Sequence, residues 1–225
     1  MKKLVFLLFF VVFSGISVLA QDVTFQSEVT TENLEFISQD SVIPKAVRAD
    51  WETFYAEVFG IRVSFKNLVI PHYQTGFNEV VIIPKGLTYK TILANVPKNI
   101  SVNIYCYQSD LNWLDNNIIS FRTNRDSSYA IRVSETLTGN NKTMVDLDNR
   151  DFNGITLKEN LILCLKYYYD SGYNEFLSGW TVCSGSRDRN GRPIRLYYKN
   201  NSYLVEIDSR DNRYAAINLR EVAER

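Results

Sequence analysis

The sequence predicts an α+β domain in which a mainly antiparallel sheet is combined with two or three helices and ends in a C-terminal β-meander. One observation is the hydrophobic pattern, because apolar residues recur at helical spacing in a few segments and alternate or form short runs elsewhere. The second is the turn pattern of the last third, where Asn190-Gly191 and Asn200-Asn201 separate three short β runs. Strands joined by such tight turns pair antiparallel. Helices mixed with a mainly antiparallel sheet define the α+β class.

Residues 1–20 have the organisation of a secretory signal peptide. Lys2 and Lys3 precede an apolar run, and the small residue Ala20 stands before a cleavage position at Gln21. The protein is therefore expected to be exported to the periplasm, to the cell surface or into the medium. Because the apolar stretch is at the lower limit of the ~17–25 residues that span a bilayer, an uncleaved N-terminal membrane anchor is the alternative.

The first folded element after this leader is predicted to be a helix that Asp50 caps. Trp51, Phe54 and Phe59 fall on one face of this helix, and Gly60 suits its left-handed end. The preceding residues 21–47 are polar and weakly patterned, which predicts a spacer or a loosely attached strand. We therefore expect residues 48–225 to form a single α+β domain.

Short elements are predicted up to residue 133. Thr88 opens a short helix that Pro97 must end, because proline lacks the N–H that a helix interior needs. Apolar runs on either side of that helix predict strands at 62–65, 79–84, 100–107 and 129–133.

The clearest element is a helix that begins at Thr156. Thr156 and Glu159 have the spacing of a capping box, in which each side chain bonds a backbone N–H at the start of the helix. Apolar residues then line one face, and Gly172 ends the helix. The strands of the following meander are predicted at 180–184, 194–198 and 203–208.

The charge of the chain limits its partners. Its 25 Lys and Arg residues balance 25 Asp and Glu residues, and removal of Lys2 and Lys3 leaves a net charge of about −2. A near-neutral surface argues against nucleic acid as the partner, and no membrane partner is expected beyond the leader. The expected partner is an envelope or extracellular ligand. No motif calls for a cofactor.

Three cysteines follow the leader: Cys106, Cys164 and Cys183. In an oxidising compartment, three cysteines favour one disulfide and one remaining thiol. The alternative is that all three are buried and reduced. Cys164 lies in the middle of the apolar face of the second long helix, which favours a packed thiol.

The candidate ligand-binding residues are Cys183, Ser184, Ser186 and Arg187. Cys183 and Arg189 have the spacing of a thiolate phosphatase loop, but a hairpin turn follows here where such enzymes have a helix. A strand that runs into a polar turn explains the segment structurally. The functional interpretation is that its N–H groups, hydroxyls and guanidinium bind an anionic group of a ligand.

Other constellations have structural explanations. His72 is the single histidine, which excludes a multi-histidine metal site and is typical of a surface loop. Residues 146–154 resemble a calcium loop, but Asn160 stands where a bidentate Glu is required, so no metal is expected. Abundant tyrosines suit a sugar or peptide surface as well as a core. The pairs Asp146/Asp148 and Glu206/Asp208 are possible acid and base groups.

Several short motifs occur in a fixed order along the chain. They include Pro84-Lys85-Gly86-Leu87-Thr88, Gly154-Ile155-Thr156-Leu157 and Cys183-Ser184-Gly185-Ser186-Arg187. From about residue 50 to its end, the chain resembles a group of small uncharacterised bacterial proteins that share this order. The resemblance implies one domain and carries no activity. The leader is a departure, since members of that group need none.

The sequence thus predicts a binding or interaction module at the cell envelope or outside the cell. The alternative is a hydrolase that acts on an envelope or extracellular substrate through carboxylates or Cys183. Whether the protein is an enzyme stays open at this stage.

Overall fold

The computed structural model of the chain describes residues 41–104, 111–122, 127–134, 154–172, 179–199, 202–207, 218–219 and 222–223. The fold of these residues is α+β with mainly antiparallel sheets, as predicted. The leader at residues 1–20 lies outside the described residues, as do Cys106, the acidic segment 146–153 and Asp208. Within them, no helix combines the length and apolar character needed to span a membrane.

Four helices and eleven strands are described. The helices are α1 Lys45–Phe59, α2 Tyr89–Ala94, α3 Leu111–Asn117 and α4 Leu157–Ser171. The strands are β1 Ser41–Val42, β2 Val69–Ile70, β3 Glu79–Ile83, β4 Ser101–Ile104, β5 Ile118–Ser120, β6 Tyr129–Val133, β7 Gly179–Asp188, β8 Pro193–Lys199, β9 Ser202–Ile207, β10 Asn218–Leu219 and β11 Val222–Ala223.

The start of α1 differs from the prediction. The helix begins at Lys45 after Pro44, so the expected cap by Asp50 is wrong. A proline at a helix start costs no hydrogen bond, because the first N–H groups of a helix have no partner within it. Asp50 lies inside the helix and binds Lys166 instead. Gly60 ends α1 in the left-handed conformation, with φ of 65°.

Local capping signals placed α2 and α4 correctly. Thr88 accepts a hydrogen bond from the N–H of Thr91 at the start of α2. Thr156 and Glu159 form both bonds of the capping box, and Gly172 ends α4 with φ of 72°. The helix α3 was not predicted.

The strand expected at 62–65 is absent. Residues 61–65 have no regular structure, and the N–H of Phe65 donates to Glu52 rather than to a neighbouring strand. The strand of this region is β2, which pairs antiparallel with β1. The strands predicted at 79–84 and 129–133 correspond to β3 and β6, which pair with each other.

The largest sheet has six strands in the order β10-β7-β8-β9-β4, and β5 also pairs with β7. The predicted meander is confirmed, because β7, β8 and β9 are consecutive antiparallel neighbours. β4 and β10 join it in parallel, at β9 and β7. A three-stranded sheet has the order β11-β6-β3.

The helix α4 contacts strands of both sheets, β3 on one side and β7 and β8 on the other. Its residues from Leu157 to Lys166 are buried except for Lys158, which is half-buried. The buried stretch includes the polar residues Glu159 and Asn160. Burial of a polar group is costly unless it is hydrogen-bonded. The hydrogen-bond partners of Glu159 and Asn160 therefore define the candidate functional region.

Candidate functional site

The predicted binding residues Cys183, Ser184, Ser186 and Arg187 lie within β7. The strand continues to Asp188 instead of ending at residue 184, and its register with β8 shifts between Val182 and Arg187. The first three side chains are buried and that of Arg187 is half-buried. Arg187 Nη1 donates to the carbonyl oxygens of Ser184 and Ser186, at 2.7 and 2.8 Å. The segment is therefore interior strand rather than an open loop around an anion.

Ser186 connects β7 to α4 and β5. Its Oγ accepts a hydrogen bond from the N–H of Leu157 at 3.0 Å and lies 2.8 Å from Ser120 Oγ. Ser120 Oγ is in turn 3.4 Å from the hydroxyl of Tyr89, which is fully buried. The hydroxyl of Ser184 has no hydrogen-bond partner among the described residues.

Gly185 brings the second and third motifs of the resemblance into backbone contact. Its N–H donates to the carbonyl of Ile155 at 3.0 Å. A Cβ atom at this position would lie 2.3 Å from the carbonyl oxygen of Gly154. Because backbone cannot move aside as a flexible side chain can, only glycine fits without displacing the start of α4 from β7.

The two described cysteines lie on either side of Asn160. Its Nδ2 is 3.6 Å from Cys183 Sγ, and Cys164 Sγ is 4.0 Å from its Oδ1. Both cysteines are fully buried, and no disulfide joins them. Cys106 lies outside the described residues, so its pairing stays a prediction. A buried thiol does not meet the solvent access that a nucleophilic cysteine needs.

A buried ion pair supports the N-terminal end of α4. Arg122 Nε and Nη2 donate to the two carboxylate oxygens of Glu159, each at 2.7 Å. The side chains are 4% and 0% exposed. Glu159 also accepts hydrogen bonds from the hydroxyl of Tyr129 at 3.0 Å and from the N–H of Thr156 at 2.8 Å. Every oxygen of this carboxylate is thus satisfied, as a buried charge requires.

Tyr129 forms part of the wall of two cavities, of about 180 and 660 Å³. The smaller is lined by Lys158 and by the first motif of the resemblance, residues 84–88. The larger extends along residues 64–69. Ser127 lines both cavities together with Tyr129, so we treat the two as one cleft.

Lys158 is the half-buried cation of this cleft. Its Nζ donates to the carbonyl of Leu87 at 2.5 Å and lies 5.1 Å from the centroid of the Tyr89 ring. Desolvation by burial lowers the pKa of Lys158, and the charges of Asp115 and Glu159 oppose that shift. Perturbed titratable groups in clefts are candidates for functional residues.

The backbone turn beside Lys158 depends on Gly86. The N–H of Leu87 donates to the carbonyl of Pro84, and Gly86 occupies the third position of the turn with φ of 76°. Such a turn favours glycine, because other residues are strained at positive φ. The N–H of Lys85 donates to Ser128 Oγ at 3.0 Å, which holds the turn against the start of β6.

The remaining sequence candidates lie elsewhere. His72 is exposed, with its Nε2 3.3 Å from Gln74 Nε2. Glu206 binds Arg195 on the sheet. Within the described part of the chain, no group of three or more His, Cys, Asp or Glu residues could hold a metal ion. Lys158 was not predicted as a functional residue; its only signal in the sequence is its position inside the capping box of Thr156 and Glu159.

The chain matches none of the protein-family models, curated proteins or solved structures with which it was compared. The class of protein is therefore defined by fold and site alone. It is an α+β domain with a lysine-containing cleft beside a buried ion pair.

Proposed function

We propose that the protein is an exported binding module that holds a small ligand in the cleft lined by Tyr129 and Ser127. The observation that carries the proposal is that these two residues line both cavities. Their joint volume falls within the ~300–1,000 Å³ that is usual for small-molecule sites.

The wall of the cleft is held in place from behind. The hydroxyl of Tyr129 binds Glu159, and Glu159 is fixed by Arg122 and by the backbone of Thr156. A binding site whose walls are already ordered loses less conformational entropy when its ligand arrives. The buried Arg122–Glu159 pair thus has a role in keeping the wall ordered, since a buried ion pair by itself contributes little stability.

The predicted leader at residues 1–20 supports a ligand located at the envelope or outside the cell. The alternative of a hydrolase relied on paired carboxylates or on Cys183; His72 is the only other candidate for nucleophilic chemistry. Cys183 is fully buried, His72 is exposed, and neither lines the cleft. Asp146, Asp148 and Asp208 lie outside the described residues, so the geometry favours binding over hydrolysis through Cys183.

The test is a thermal unfolding screen of the protein purified from expression of the full chain. The panel contains neutral sugars, amino acids, nucleotides, small carboxylates and inorganic phosphate. A ligand at 100 times its Kd stabilises the folded state by about 2.7 kcal/mol, so a true ligand raises the Tm.

A matched pair of variants localises the effect. Ser127→Trp fills the cleft at the wall that both cavities share and should abolish the rise in Tm. Thr53→Trp, on the exposed face of α1, should preserve the rise. A rise in Tm that survives Ser127→Trp, or a panel without effect, would refute the proposal. Hydrolysis of a nucleotide in the panel would establish the hydrolase instead.

A further inference from the structure

The hydrogen bonding of Lys158 is incomplete. An ammonium group has three N–H donors. Of the described residues, only Leu87 accepts a hydrogen bond from Nζ, through its carbonyl oxygen. The Tyr89 ring lies beside the ammonium but offers no lone pair of the kind an N–H bond prefers. Two donors therefore remain for a group that enters the smaller cavity, which Lys158 lines.

The carboxylates near Lys158 are already bound elsewhere. Asp115 accepts the N–H groups of Tyr89 and Lys90 at the start of α2, at 2.7 and 2.9 Å. Glu159 is bound by Arg122, Tyr129 and its own helix. Among the described residues, no carboxylate lies within ion-pair distance of Lys158 Nζ. A partly desolvated cation without a counter-ion is unfavourable. Binding of an anion from solvent would therefore be favourable in free energy here.

We propose that the ligand of the cleft carries a carboxylate or phosphate group and that this group binds the Lys158 ammonium in the smaller cavity. The inference rests on the proposed function of the cleft. A cavity of about 180 Å³ suits a compact oxyanion, and the larger cavity then holds the rest of the ligand. Lys85 lines the smaller cavity as well and adds a second positive charge at its exposed side.

The experiment is a calorimetric titration at constant ionic strength with three probes: inorganic phosphate, propionate and uncharged propionamide. We expect phosphate or propionate to bind and propionamide to bind at least 10-fold more weakly. Tighter binding of phosphate assigns a phosphate group to the ligand, and tighter binding of propionate assigns a carboxylate. Equal binding of propionamide would overturn the inference.

Variants assign the binding to the residue. Lys158→Met should weaken anion binding at least 10-fold, and Lys158→Arg should retain most of it because the positive charge is kept. The matched control is Lys90→Met, because Lys90 is an exposed lysine on α2 that does not line the cleft. The affinity of this variant for the anion should stay within about 2-fold of that of the unmodified protein. Equal loss in both methionine variants would indicate a general charge effect and would overturn the inference.

The failure of this inference is distinguishable from failure of the proposed function. If neutral compounds of the screen bind in a manner that Ser127→Trp abolishes and Lys158→Met does not change, the cleft binds a ligand of another class. If no compound binds at all, both proposals fail. The melting temperature of each variant, measured without ligand, shows whether it is folded.

Discussion

Two lysines of α4 are at least half-buried, one in its first turn and one in its second half, and their surroundings are opposite. In the second half, Lys166 Nζ lies 2.9 Å from Asp50 and 2.5 Å from Asp170. The rings of Trp51, Phe54 and Tyr169 surround it at 5.6–5.9 Å. At the N-terminal end, Lys158 has one carbonyl, one ring and a cavity.

The difference separates a structural lysine from a candidate functional one. Lys166 connects α4 to α1, and its charge is neutralised within the protein. Lys158 keeps an uncompensated charge at a cleft, a state that folding alone gives no reason to retain. The N-terminal end also depends on buried contacts, namely the Arg122–Glu159 pair and the Gly185 backbone, whereas the C-terminal carboxylates are about half exposed.

The largest expected effect concerns the buried pair. Glu159→Gln keeps the shape of the side chain and its capping-box bond but removes the charge that Arg122 needs. We expect a loss of about 3–5 kcal/mol in the free energy of unfolding, because the guanidinium stays buried and loses the negative charge of Glu159. Urea unfolding measures this free energy. The double variant Arg122→Met/Glu159→Met should be destabilised less than the single variant. A single-variant loss below about 1 kcal/mol would contradict the role given to the pair.

Next in size is the backbone contact at Gly185. Gly185→Ala places a Cβ against the carbonyl oxygen of Gly154 and should cost about 1–3 kcal/mol by overpacking. The adjacent Ser184→Ala is the control: it removes a buried hydroxyl that lacks a described partner, so it should be neutral or stabilising. Equal stability losses in the two variants, measured by thermal unfolding, would show that the contact is not restrictive.

The comparison of the lysines is tested directly by two methionine substitutions. Lys166→Met removes an ammonium held by two carboxylates and three rings, and we expect a cost of about 1–2 kcal/mol. Lys158→Met should cost less stability than Lys166→Met, because it removes one hydrogen bond to a carbonyl and no ion pair. If both variants lose the same stability in urea, Lys158 is a structural residue like Lys166.

The pH dependence of stability provides a smaller effect of known sign. Burial lowers the pKa of Lys158 below 10.5, so at alkaline pH the unfolded chain binds the proton more tightly than the folded one. The stability of the protein relative to Lys158→Met should therefore rise as the pH increases from the folded pKa towards 10.5. The groups that face the ammonium are Asp115, Glu159 and Tyr89, and burial raises the pKa of Tyr89. A flat or falling difference would contradict the desolvation of Lys158.

The smallest effect is expected at the exposed C-terminal end of α4. The Tyr169 hydroxyl donates to Glu57 at 2.5 Å, and this carboxylate raises the pKa of Tyr169 to about 12. Stability gained from that bond is present below pH 10 and is lost as the pH rises through about 12. In a spectrophotometric titration, Tyr169→Phe should remove one phenol that ionises near pH 12. Loss of a phenol near pH 10 would contradict the bond.

Elements with complete local signals were predictable from the sequence. The capping box at Thr156 and the glycine at 172 bounded α4, and the apolar run at 129–133 located β6. The start of α1 was not predictable, because Pro44 and Asp50 both resemble residues at a helix start. Only the contact of Asp50 with Lys166, which is distant in sequence, shows that Asp50 lies inside the helix. The parallel pairing of β4 with β9 has no local signal, because the partners are distant in sequence.

The candidate site was predictable only in its pieces. The three motifs of the resemblance were visible, but their contacts join Gly185 to Gly154 and Lys158 to Leu87 over long stretches of chain. The Cys183–Arg187 segment looked like an anion-binding turn because its residues are those of such turns. The structure places them in a strand, where the same polar groups bind the neighbouring helix and each other.

The parallel pairing of β4 with β9 also governs when the protein can fold. Ser101 lies opposite Ser202, so about a hundred residues must be synthesised before β4 finds its neighbour. At ~5–20 residues per second this takes roughly 5–20 s, during which the edge that β4 presents stays without that strand. Folds dominated by such distant pairings also form slowly. The six-stranded sheet is therefore completed only when almost the whole chain is available, because β9 begins at Ser202.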